Sequence, residues 1–161
     1  MKNISACLSS NSDDWKTPSP IYNTFITMNY IDCFPFQSEI NQFDIDYHNE
    51  KLFINPPFSI MDDVIEYVLK QYKKNNQIAL LIPVRTDTKY FKRLFDNTDC
   101  VIYLIHKRLH YNDDKSAPFP SMLIMMNQNI KLKNRIDLIE QNDIERVLKQ
   151  WQNKNIIPSV R

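Results

Sequence analysis

Not one of the 161 residues of this chain is glycine, where average usage would place about 11. A folded chain still needs turns and helix ends with positive φ, a conformation that a residue with a Cβ adopts only at a cost. Asn and Asp tolerate it best, so they are expected at every such position. The same absence excludes a glycine-rich phosphate cradle and a G-x-G nucleotide loop. Any cofactor loop here must be built from other residues.

The length suits one domain with a single core, expected over residues 14–161 behind a polar, flexible N-terminus of residues 1–13. The longest apolar runs, such as Ile78 to Ile82, fall far short of the roughly 20 residues needed to span a bilayer. Met1 to Ser12 lacks the apolar stretch of a secretion signal. An intracellular, cytoplasmic protein with no membrane partner is expected. Cys7, Cys33 and Cys100 are widely spaced and odd in number, which fits free thiols in a reducing compartment and gives no zinc pattern. His48, His106 and His110 show no metal-ligand spacing either, and no metal is expected. The net charge is +1, so any surface for nucleic acid would be a local patch.

The pattern along the chain alternates between strands and helices. Pro18 and Pro20 open a helix with Ile21, Phe25 and Met28 on one face. Tyr30 to Cys33 reads as a short buried strand and Lys51 to Ile54 as a second one, stopped by Pro56-Pro57. Ser59 to Lys74 has helical spacing, Gln77 to Ile82 is a fully apolar strand, and Thr86 to Phe95 is a second amphipathic helix. Cys100 to Ile105 and Pro120 to Met126 read as strands, with Lys107 to Tyr111 as a strand or turn extension between them. Asp137 to Asn153 reads as one closing helix. The expected fold is α/β: a mostly parallel sheet with helices on both faces. The link from Ile105 to Pro120 shows no helix, so the last two strands are expected to pair antiparallel.

Asn55-Pro56-Pro57-Phe58 is the sharpest chemical signal. It follows an apolar strand and precedes a helix, the place where α/β sheets bind ligands. The prolines hold the residue before each of them extended. That presents the Asn55 amide and the Pro56 carbonyl as fixed acceptors beside an aromatic ring, a fit to the exocyclic amine of a flipped-out base.

In these residues the chain resembles the phage-type, Dam-like DNA adenine-N6 methyltransferases, over roughly Asp13 to Met126. Asp14-Trp15-Lys16-Thr17-Pro18 is similar to the family's Asp-Trp-x-Thr-Pro element. Ile31-Asp32-Cys33-Phe34-Pro35 is similar to its cofactor-strand signature, and residues 55–58 match its catalytic tetrapeptide. Leu81 to Thr88, Arg108-Leu109 and Ala117 to Met122 follow in the family's order.

The resemblance implies a Rossmann-like methyltransferase fold, S-adenosylmethionine as cofactor and DNA as partner, with the enzyme a monomer or homodimer. It implies that Asn55 and Pro56 accept hydrogen bonds from the adenine amine, that Pro57 stiffens the loop, and that Phe58 stacks on the base. Trp15, Thr17 and Pro18 would close over the methionine end of the cofactor, and Asp32, in the strand loop with Cys33 and Pro35, would bind either its ribose hydroxyls or its methionine amine. Asp46 would stand near the cofactor's adenine, with Asp44 an equal candidate. Arg85, Lys89, Lys107 and Arg108 lie beside these motifs and are the expected DNA contacts. Lys107 replaces the glycine of the family's Gly-Arg-Leu, which implies a more open loop there. With no long insertion, a short target site would be read by loops, notably Tyr111 to Phe119. An RNA adenine or a glutamine amide offers the same planar amine, and a binding protein that has lost catalysis would keep the same fold.

Overall fold

Strands made of Ile, Leu and Met have no polar face, so they must be covered on both sides and occupy the middle of a sheet. The computed structural model, which describes residues 15–113 and 115–153, shows them there. The expected flexible N-terminus, residues 1–13, lies outside the described residues. In chain order the elements are α1 (Ser19–Thr27), β1 (Ile31–Asp32), β2 (Lys51–Ile54), α2 (Met61–Tyr72), β3 (Gln77–Pro83), α3 (Lys89–Asn97), β4 (Cys100–Ile105), β5 (Ser121–Asn127), β6 (Arg135–Ile139) and α4 (Ile144–Gln152). The six strands form one sheet in the order β1-β2-β3-β5-β4-β6.

β3 and β5, the two wholly buried strands, are neighbours at its centre. β5 runs antiparallel to both β3 and β4, while the pairs β1–β2, β2–β3 and β4–β6 are parallel. The cause is the short route from β4 to β5. Residues 106–120 contain no α-helix among those described, and a parallel return needs a crossover that long helices usually supply.

Alternation along each strand divides the core in two. Phe53, Ala79, Leu81, Tyr103 and Met125 point to the face covered by α1 and α4. Leu52, Ile54, Leu80, Ile102 and Ile124 point to the face covered by α2 and α3. α2 turns Val64, Ile65 and Val68 inward at helical spacing, with Asp62 and Asp63 in its first turn and Lys70 in its last, each favoured by the helix dipole. Its start differs from the sequence reading, because Phe58–Ile60 form a 3-10 turn before it. α3 starts at Lys89 and not at Thr86, because the Thr88 hydroxyl accepts from the Phe91 N–H and caps the helix there.

One expectation is corrected. Asp137 to Asn153 is not one helix: Arg135–Ile139 forms β6, a 3-10 turn follows, and α4 begins at Ile144. A capping box between Glu140 and Asp143 ends the strand and starts the helical turns. β6 was hidden because two of its three apolar residues, Ile136 and Leu138, face outwards. Ile136 and Leu138 are 56% and 53% exposed, while Asp137 points towards the core side. Of the two readings of Lys107 to Tyr111, a strand or a turn extension, the structure has the turn. The chain turns at Lys107, with φ 62°, and forms a 3-10 turn at Tyr111–Asp113.

The glycine-free backbone solves its turns mostly as expected. Asn29, Asn49, Asn75, Asn112 and Asp113 carry positive φ, but so do Gln37 and Lys107. At Lys107 the loop keeps a left-handed bend without glycine, so the expected opening of the loop gives way to local backbone strain of roughly 1–2 kcal/mol.

Candidate active site

β1 to β4 all point their carboxyl ends to one edge of the sheet, where loops gather and ligands bind in open α/β folds. The antiparallel β5 begins at that same edge, and the Val84 N–H bonds the Pro120 carbonyl there. The loops after β2, β3 and β4 therefore converge.

Asn55 comes directly after β2 and is only 7% exposed. Its amide nitrogen donates to the Trp15 carbonyl at 2.9 Å and to the Thr17 hydroxyl at 2.8 Å. A carbonyl can only accept, so the amide must turn its nitrogen to that side. Its Oδ1 is then left buried, with no hydrogen-bond partner among the described residues. An unpaired buried acceptor costs about 1–3 kcal/mol, which a ligand N–H would recover.

Two cavities, of about 310 and 340 Å³, both reach Asn55 and share Trp15, Phe34, Pro35 and Phe36 as walls. The first continues along Phe43, Pro56, Pro57 and Ile60 and past the polar Ser38, Asn41 and Gln42, a mixed lining suited to a flat heteroaromatic group with polar edges. The second continues along Lys16, Thr17, Ser19, Tyr22 and Asp32, and so offers both signs of charge. Asp32 ends β1, and one of its carboxylate oxygens accepts from the Phe34 N–H at 3.1 Å. Burial pushes its carboxyl up to about 6, with that hydrogen bond opposing.

The other expected site residues divide clearly. Trp15, Thr17 and Pro35 line the cavities, whereas buried Pro18 serves as N-cap of α1. Phe58 lines neither. Its ring stacks on Trp15 with centroids 6.2 Å apart and meets Tyr111 and Phe119 edge-on at 6.4 and 5.4 Å. Cys33 is fully buried in the core under α2, where burial pushes its thiol up to about 12 and leaves it inert. Asp46 stands apart from both cavities, paired with Lys74 at 2.6 Å and Lys70 at 3.3 Å and accepting from Gln71. Lys74 first, then Gln71, holds its carboxyl well below the usual carboxylate range.

Arg85 and Lys89 follow β3, and Lys107 and Arg108 follow β4, so all four occupy the same sheet edge as Asn55. Lys89 and Lys107 are exposed. Arg85 pairs with Asp87 at 3.3 Å, and Arg108 donates to the Ala117 carbonyl at 3.3 Å.

Asn112 and Asp113, expected only as part of the Tyr111 to Phe119 loop, hold the segment that carries Trp15 and Thr17. The Asn112 side chain accepts from the Lys16 N–H at 2.7 Å and its own N–H donates to the Lys16 carbonyl at 2.9 Å. The Asp113 carboxylate accepts from both the N–H and the hydroxyl of Ser19. The signal was present: in a chain without glycine, an Asn-Asp pair between strands is where consecutive left-handed residues belong.

Among the described residues no helix is long and apolar enough to cross a membrane. A search of curated proteins finds no match to the chain. The family model for DNA N-6-adenine-methyltransferase (Dam) matches residues 4–151 of the 161. The convergence of the Asn-Pro-Pro-Phe loop, a cavity carboxylate and basic loops on one sheet edge accords with that match, and the chain belongs to the Dam family, whose activity is methylation of DNA adenine at N6.

Proposed function

We propose that this protein transfers a methyl group from S-adenosylmethionine to the N6 amine of an adenine flipped out of DNA, with Asn55-Pro56-Pro57-Phe58 as the loop that holds the base. The observation that carries this reading is the buried, unpartnered Oδ1 of Asn55, set where both cavities meet. An amine N–H donates a hydrogen bond to that acceptor, which polarises the N–H bond and leaves more electron density on nitrogen.

The residues fit the cofactor. The charged cavity suits the amino-acid end, with the Asp32 carboxylate for the ammonium and Lys16 for the carboxylate. The first cavity, with Pro56, Pro57, Phe34 and Phe43 beside the polar Asn41 and Gln42, suits the adenosine. Bound there, S-adenosylmethionine supplies a methyl group already activated by a sulfonium. The protein's contribution is then placement, worth up to roughly 7–11 kcal/mol of the barrier. Trp15 and Phe58 together provide the aromatic surface for the base, with Trp15 facing the cavities, and such a stack is worth about 1–3 kcal/mol. Pro18 fixes the start of α1 under the charged cavity. Arg85, Lys89, Lys107 and Arg108 would meet phosphates and set the register of the duplex, and the loop from Tyr111 to Phe119 would read the target.

The test is labelled S-adenosylmethionine offered with unmethylated DNA, RNA or protein. Label recovered as N6-methyladenine from DNA supports the reading, and label only in RNA or only in protein overturns it.

The raised Asp32 carboxyl gives a pH dependence. Because burial favours its protonated form, Asp32 contributes stability to the free protein that is full below pH about 4 and lost as pH rises through about 6. Cofactor binding works the other way, since an ammonium needs the ionised carboxylate. Affinity is expected to be about 10-fold weaker at pH 5 than at pH 7, by the ionised fraction. Calorimetric titration at both pH values measures this, and Asp32→Asn should flatten the dependence. A flat profile in the wild type would place the ammonium elsewhere.

A further inference from the structure

We propose that Thr17 is a positioning residue for methyl transfer, its buried hydroxyl fixing the rotation of the Asn55 amide from a strap anchored on the Asn112-Asp113 turn. The inference rests on the reading of Asn55 as acceptor for the target amine.

The terminal torsion of an Asn side chain is broad and two-fold, so nothing intrinsic decides which way its oxygen points. The surroundings must decide. The Trp15 carbonyl takes one N–H of Asn55 and the Thr17 hydroxyl takes the second, at 2.9 and 2.8 Å. With both donors engaged on one side, the amide plane is held and Oδ1 has a single orientation, away from Trp15 and Thr17. Take Thr17 away and one N–H loses its partner in a buried place, so the amide gains a reason to turn.

Thr17 is itself held from both sides. The Lys16 N–H donates to the Asn112 side-chain oxygen and the Lys16 carbonyl accepts from the Asn112 N–H, while Ser19 gives two hydrogen bonds to the Asp113 carboxylate. Those acceptors can face the strap because Asn112 and Asp113 are both left-handed, at φ 60° and 53°. Trp15 packs edge-on against Tyr111 and Phe119, which flank the same turn. A path of direct contacts thus runs from the loop after β4, which carries Lys107 and Arg108, through the strap to Asn55. The orientation of the acceptor and the order of that loop depend on one another.

Thr17 also lines the cavity of Asp32, so a role in holding the cofactor is the competing account. The two differ in what they change. Loss of cofactor contact raises the dissociation constant for S-adenosylmethionine, whereas a misaimed Asn55 lowers kcat and leaves binding alone.

The experiment uses the full chain as wild type, Thr17→Val, Thr17→Ser, Asn112→Gly and Asn55→Ala. Thr17→Val keeps the shape and removes the acceptor. It is expected to lower kcat about 10–100-fold while the cofactor dissociation constant stays within about 3-fold, and Thr17→Ser should recover most of the rate. Asn112→Gly keeps the left-handed backbone but loses the acceptor for Lys16. It should lower kcat in part and add little on top of Thr17→Val, as members of one network do. A second readout does not need turnover: the Asn55 side-chain NH2 signal, identified by its loss in Asn55→Ala, should exchange with water about 5–10-fold faster in Thr17→Val than in the wild type.

An unchanged kcat and exchange rate in Thr17→Val, or a loss confined to cofactor affinity, or no rescue by Ser would overturn the inference. If the wild type leaves DNA unmethylated, the functional reading falls. The exchange measurement then still decides whether Thr17 holds the amide.

Discussion

Asn55→Ala is expected to lower kcat for methyl transfer to DNA adenine by roughly 10²–10³-fold, the usual loss when one preorganised hydrogen-bonding group is removed from a reacting centre. The substitution removes Oδ1, the buried acceptor left unpaired at the meeting of the two cavities. It also removes the amide nitrogen that ties the loop to Trp15 and Thr17. Cofactor affinity should change far less, because the charged cavity keeps Asp32, Lys16 and Ser19. Asn55→Asp sharpens the point. A carboxylate still offers an acceptor to the amine, but its other oxygen would face the Trp15 carbonyl and repel it, so the rate should stay low. Nucleoside analysis of methylated DNA gives the rates directly. A variant of either kind that kept more than about a tenth of the wild-type rate would remove Asn55 from the chemistry.

The second large effect lies at the opposite edge of the molecule. Trp151→Ala is expected to destabilise the fold by about 3–5 kcal/mol, the cost of emptying a large buried aromatic site. Trp151 is fully buried in the core under α1 and α4, and its indole N–H donates to the Tyr103 hydroxyl at 2.9 Å. Total stability of a domain is about 5–15 kcal/mol, so this one residue could remove much of it. Trp151→Phe should cost less, since most of the apolar burial remains and only the bond to Tyr103 is lost. Thermal unfolding measures both, with about 2–4 °C expected per kcal/mol at this size. Trp151 sits with Glu50, Lys51, Gln77 and Asn127 at the amino ends of β2 and β3, away from Asn55. Below the unfolding transition, kcat of Trp151→Phe should therefore match the wild type. A large fall in kcat without a fall in stability would tie α4 to the active edge and contradict this separation.

The positions of most elements were legible because they rest on local signals. Apolar runs without a polar face mark β3 and β5, proline stops β2 just where Asn55 must stand, and Val64, Ile65 and Val68 repeat at helical spacing. The lack of glycine forecast Asn at the left-handed turns, and Asn29, Asn49, Asn75 and Asn112 are there. The antiparallel course of β5 could also be anticipated, because the link before it is too short for a crossover helix.

What the tertiary structure alone decided are matters of which distant groups meet. Arg135 to Ile139 became a strand because β4 had an open edge to pair with, while Ile136 and Leu138 pointed outward and disguised it. Of the carboxylates expected near the cofactor, Asp32 lines a cavity, while neither Asp44 nor Asp46 lines either one and Asp46 is taken by Lys70 and Lys74, partners more than twenty residues away in the chain. Phe58, expected to stack on the base, packs against Trp15, Tyr111 and Phe119. The grip of Thr17 on Asn55, and of Asn112 and Asp113 on the strap, joins segments 38 and more than 90 residues apart. Periodicity and residue propensity reach only a few positions along the chain, so they could mark the elements and the motif. The partners of each polar group had to wait for packing to bring the remote segments together.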